Sequence, residues 1–141
     1  MNRRRYRAVR GVLLLAILCA AAACGGGNTA KLTELRRVKS GDTDVVLLSA
    51  RDGLRHGKDT FVIEFRATSD GHLIDVGTVK ASATMPMPGM PMFGGIDVQR
   101  TAVPGRYDAS GEFSMAGTWR LNVEWDGPAG HGSVGFPGTV Q

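Results

Sequence analysis

The chain has 141 residues, a formal charge of +4 and an isoelectric point near 9.5. That length suits one domain and excludes a large multi-domain enzyme. Arg3, Arg4, Arg5, Arg7 and Arg10 crowd the first ten residues, so removing residues 1–23 turns the charge to −1 and excludes a nucleic-acid reading built on the basic pI.

After the arginines comes an apolar run of about a dozen residues, whereas a membrane-spanning helix needs roughly 20. Residues 1–23 therefore read as an export signal. Ala21-Ala22-Ala23-Cys24 resembles the cleavage motif of bacterial lipoproteins, in which the cysteine is acylated and becomes the membrane anchor. Several acyl chains, at about 0.8 kcal/mol per buried methylene, make such anchoring effectively permanent. Ordinary cleavage at the Ala-x-Ala site is the alternative, and it leaves Cys24 as a free thiol. The other cysteine, Cys19, lies inside the signal, so the mature domain is expected to carry no disulfide and no thiolate metal site.

Residues 24–42 read as the lipidated N-terminus and a Gly-rich flexible tether, and residues 43–141 as the folded domain. A modest basic stretch, Lys31, Arg36, Arg37 and Lys39, lies near the anchor. From Val45 onward apolar residues alternate with polar ones, and breaks fall every eight to twelve residues. This predicts an all-β, immunoglobulin-like antiparallel β-sandwich of about seven strands. The expected strands are 45–50, 61–66, 73–84 with a bulge at Gly77, 96–103, 106–113, 119–126 and 133–140. The clearest is the segment with Trp119, Leu121, Val123 and Trp125 on one face and Arg120, Asn122, Glu124 and Asp126 on the other. Tyr107, just after the Pro104-Gly105 turn, reads either as a corner tyrosine whose hydroxyl caps backbone or as an ordinary half-buried strand residue.

The stretch Met85-Pro86-Met87-Pro88-Gly89-Met90-Pro91-Met92 holds four of the five methionines left after the signal. Its prolines lack N–H donors and fix φ, which predicts an extended, polyproline-like loop with Met87 and Met90 on one side. Thioether sulfur is soft, neutral and does not titrate, so it suits Cu(I) or Ag(I) and discriminates against Mg²⁺ and Ca²⁺. Two other uses of the loop are an adaptable protein-binding surface and simple gap-filling.

In an antiparallel sandwich, connections alternate between the two ends. That places Met115 at the same end as the Met-Pro loop, with the His56 loop beside them and His72 and His131 opposite. The expected metal ligands are Met85, Met87, Met90, Met92 and Met115, and His56 is an additional candidate.

The order of a Met-Pro-Met loop, Pro104-Gly105-Arg106-Tyr107, and Phe113-Ser114-Met115-Ala116-Gly117-Thr118-Trp119 with an alternating strand to Trp125 resembles the YtkA-like domain family. The resemblance covers residues 45–140. It implies a small exported immunoglobulin-like domain, often a lipoprotein or an extension of a heavy-metal efflux adaptor, commonly associated with copper handling. The loop contains no histidine, which argues against Cu(II) there.

No catalytic constellation is visible in the spacing of Ser, His and acidic residues, so no enzyme is expected. The expected function is an extracytoplasmic, lipid-anchored metal-binding protein of the cell envelope. It would buffer Cu(I) or Ag(I) or pass it to a metal-efflux or copper-trafficking protein. The alternative is a metal-free interaction module that docks on a transporter or envelope complex through the same loop.

Overall fold

The computed structural model describes residues 30–141. The signal peptide, Cys24 and the Gly-rich start of the tether lie outside these residues. The described residues form eight strands: β1 (Thr33–Ser40), β2 (Thr43–Ser49), β3 (Gly57–Ala67), β4 (Thr78–Met85), β5 (Met92–Arg100), β6 (Arg106–Phe113), β7 (Gly117–Gly127) and β8 (Gly130–Val140). All pairings are antiparallel, in the order β1-β2-β3-β6-β5-β4-β7-β8. Strands β4 to β6 form a meander, and β7 returns beside β4, which is Greek-key connectivity. The sheet curls until its edge strands face each other across a crevice of about 220 Å³ floored by Leu47, Leu121 and Phe136. The result is a near-closed sandwich, all-β as expected.

Alternation explains most of it. Trp119, Leu121, Val123 and Trp125 are buried, and Arg120, Glu124 and Asp126 are exposed. From β3 come Phe61, Ile63 and Phe65, whose ring meets Tyr107 and Trp125 edge-on at centroid distances of 5.5 and 5.2 Å. Such contacts add about 0.5–1.5 kcal/mol each beyond the area they bury. Pro137 sits in β8, an edge strand, where a missing N–H is tolerated.

Three strand expectations are corrected. Strand β1 occupies residues given to the tether, because its inward residues, Leu35 and Val38, are three apart rather than two. The ladder shifts between Glu34 and Arg36, so Leu35 is the extra residue of a bulge and the period-two signal is erased. Strand β4 begins at Thr78 rather than residue 73. Leu73 makes only an isolated bridge to Arg66, and the Asp75 carboxylate accepts the N–H of Gly77 at 2.9 Å, a local turn that competes with the ladder. Strand β5 starts at Met92 rather than residue 96, because Gly94 and Gly95 carry no apolar signal yet pair with Ala83 and Ser82.

Tyr107 is the corner tyrosine. It is 1% exposed, and its hydroxyl donates to the carbonyl of Gly77 at 2.8 Å. Burial pushes that hydroxyl's pKa up. Asp75 beside it is held below the ordinary carboxylate range, chiefly by the N–H of Gly77 and then by the Arg100 guanidinium. A depressed folded-state pKa adds stability that is present above the unfolded value near 3.9 and is lost as pH falls through the folded one. Asp75→Asn should therefore lower the melting temperature near neutrality and flatten its fall below about pH 4, as scanning calorimetry at several pH values would show.

Leu121 is 1% exposed, so Leu121→Ala should cost about 2–5 kcal/mol. Arg120 points outward, and Arg120→Ala should cost under about 0.5 kcal/mol. Urea unfolding of the two variants checks the inward face of β7.

Candidate metal site

Because every pairing is antiparallel, the loops at 50–56, 86–91 and 114–116 lie at one end of the sandwich and those at 68–77, 101–105 and 128–129 at the other. The first end gathers all the candidate methionines. Register sets Met85 directly opposite Met92 at the mouth of the β4–β5 hairpin. Pairing of β4 with β7 brings the β6–β7 turn alongside, and a Cβ on Gly117 would lie 2.6 Å from Cε of Met85. Glycine, at φ 145°, leaves room for that side chain.

Between Met85 and Met92 the chain does not run as the extended polyproline segment expected. The N–H of Met90 donates to the carbonyl of Met87 at 3.4 Å, and Gly89 takes φ 80°. Pro88-Gly89 thus fills the two central positions of a type II turn, where Pro presets the first φ and only Gly readily adopts the second. Met87 and Met90 still come together, as the flanks of a reversal.

Met115 is positioned from below. The indole N–H of Trp119 donates to its carbonyl at 3.0 Å, and the Trp119 ring, fully buried, packs edge-on against Phe113 at 5.4 Å. The backbone of the turn is therefore fixed to the core, and the Met115 side chain is 42% exposed.

The five methionines do not share one environment. Met90 is 74% exposed and Met87 42%, whereas Met92 is half-buried against the core and Met85 is 6% exposed within it. The packing alternative describes where Met85 sits, in the core against Gly117. Met87, Met90 and Met115 form the accessible rim.

His56 lies at this end, since it precedes Gly57, the partner of Phe113. Its backbone N–H donates to the carbonyl of Gln141 at 2.7 Å, and its Nδ1 is 3.3 Å from the same oxygen. His72 pairs with Asp70 at 2.5 Å at the far end, and His131 lies opposite Asp126 there. The alternation argument thus placed all three histidines. Among the described residues no three His, Asp or Glu side chains form a metal-holding group.

One residue of this end escaped the sequence reading. Phe93 is 77% exposed on the outer side of β5. The strand was expected to begin at residue 96, and that left Phe93 unplaced. Its only signal was its position directly after Met92, a strand neighbour whose inward side chain forces Phe93 outward.

Fold and site together define a small antiparallel Greek-key sandwich with a methionine-ringed end. The profile of the YtkA-like family matches residues 37–124, and the chain belongs to that family. No curated protein matches it. Among solved structures it is similar to a copper-bound variant of FetP from uropathogenic Escherichia coli strain F11, at 9% identity and a TM-score of 0.51, covering 78% of this chain and 97% of FetP. It is also similar to as-isolated FetP of that strain, recombinantly expressed in the E. coli periplasm, at 12% identity and a TM-score of 0.49, covering 77% and 95%.

Packing and ligation are separable by mutation. Met85→Ala should destabilise by about 2–5 kcal/mol, as buried truncations do, and Met90→Ala by under about 0.5 kcal/mol. Thermal unfolding without metal measures both.

Proposed function

We propose that this protein binds Cu(I) or Ag(I) through methionine thioethers at one end of the sandwich, as a lipid-anchored buffer or carrier outside the cytoplasm. The observation that carries the proposal is that the β4–β5 hairpin, with Met85 opposite Met92 and Met87 and Met90 in its loop, lies at the same end as the β6–β7 turn that holds Met115, where Met85 packs against Gly117. Neutral, soft sulfur suits a monovalent soft cation, and a rim of three partly exposed thioethers suits uptake and release. The likeness to FetP, one of whose structures is copper-bound, supports copper as the cargo. In this role Cys24 carries the acyl anchor, and the receiving protein is a metal-efflux or copper-trafficking partner in the envelope. The protein acts by binding and transfer rather than by catalysis.

A second reading rests on the exposure of Met90 and Phe93, which also suits a metal-free docking surface. Titration with Cu(I) against a chromophoric chelator separates the two. Replacing all five methionines with Leu, a swap that usually costs under about 1.5 kcal/mol each, should abolish Cu(I) binding and leave the fold. Affinity should hold as pH falls through about 6.5, where histidine titrates and thioether does not. Undiminished affinity in the five-fold variant would overturn the metal proposal and leave the docking surface. Loss confined to the range between about pH 7 and 5 would assign the essential ligand to His56.

A further inference from the structure

Apolar exposure and charge are both polarised along the sandwich. Of the five large hydrophobic side chains exposed among the described residues, Met87, Met90, Phe93 and Met115 lie at the methionine end, and only Val103 lies at the other. Such clustering marks an interaction surface, whereas scattered exposure would not. Basic side chains surround it. Counting the loops at that end and the four nearest residues of each strand, Lys31, Arg36, Arg51, Arg55, Lys58 and Arg120 face four acidic residues, Glu34, Asp52, Asp59 and Glu112. The rest of the domain holds six basic and nine acidic side chains. The apolar end is therefore net positive and the opposite end net negative.

Strand β1 runs away from the methionine end, so the chain enters the domain there. Thr33 pairs with Ser49, and Leu35 and Arg36 line the same crevice as Pro137, Gly138 and Thr139 of β8, close to that end. Eight residues lie between Cys24 and Thr33, and the nine Cα steps span at most about 30–32 Å when fully extended. Bringing the far end to the anchor's membrane would require the connection to double back along the length of β1, about 26 Å, while nearly fully stretched.

We propose that the methionine end rests on an anionic bilayer, with Met90 and Phe93 in the headgroup region and Arg120 and Lys58 over lipid phosphates. This rests on acylation of Cys24 and not on copper. Aromatic and apolar side chains favour the interface, and each basic residue near an anionic surface adds to the attraction. In that orientation the thioether rim opens at the membrane plane, where metal would pass to or from a membrane-embedded protein rather than to a soluble one.

The test uses the mature acylated protein in vesicles of phosphatidylethanolamine with and without phosphatidylglycerol. Acylation blocks the Cys24 sulfur, so Met90→Cys and Ala129→Cys each provide a single site for a fluorophore. Spin-labelled headgroups should quench the label at 90 several-fold more than the label at 129, and phosphatidylglycerol should widen the difference. Phe93→Ser with Lys58→Glu and Arg120→Glu should shrink it. Equal quenching at both positions, or stronger quenching at 129, in protein whose acylation is confirmed by mass spectrometry would overturn the orientation alone. An unmodified Cys24 would overturn the orientation and the lipoprotein reading together.

Discussion

The buried indole of Trp119 is the fixed point on which the methionine end depends. Its N–H holds the carbonyl of Met115, its ring packs against Phe113, and its edge lies so close to Gly94 that a Cβ there would approach Cζ3 to 3.3 Å. One side chain thus ties the β6–β7 turn, the end of β6 and the start of β5 into one unit. The hairpin carrying Met87 and Met90 grows from that unit, so the rim rests on a rigid base even though its side chains are unbranched and adaptable. A soft cation needs sulfurs that can reach it from stable backbone positions, and this end combines both properties.

The opposite end is organised by polar contacts. Tyr107, Asp75, Gly77 and Arg100 form one connected group in which a buried hydroxyl closes the long β3–β4 connection onto β6. Nearby, the fully buried Glu64 is held by Arg66 of its own strand and by Arg106 of the neighbouring β6, each Nε within 2.8 Å of a carboxylate oxygen. A buried carboxylate needs such partners, because its desolvation is costly when uncompensated. The five methionines of the described residues are divided from this polar group: all lie at the other end, together with the Phe113–Trp119 pair and the ion pair between Arg51 and the buried Asp59. That division leaves the soft, neutral donors at an end where the histidines and carboxylates form no competing cage among the described residues.

Legibility followed how local each signal was. The face of β7 was readable because Trp119, Leu121, Val123 and Trp125 obey a strict period of two, and β6 was bounded as observed because a Pro-Gly turn precedes it and a short turn follows it. Strand β1 was not readable: the bulge at Leu35 breaks the period, and its charged residues suggest solvated chain. The start of β5 was hidden by Gly94 and Gly95, which carry no apolar signal; Gly94 sits in the ladder under the close approach of Trp119 and not through any preference of glycine for strands.

The sequence by itself determined the sandwich class, the grouping of four methionines in one loop and, through the alternation of antiparallel connections, which loops share an end. These properties follow from period-two patterning and from counting turns, and both are local. Tertiary structure decided that the Met-Pro loop reverses through a turn at Pro88-Gly89, that Met85 is a core residue while Met90 is exposed, and that Phe93 stands beside the rim. Those outcomes depend on how neighbouring strands meet in register and on which side chains the core has room to bury, and neither is written in the spacing of residues along one segment.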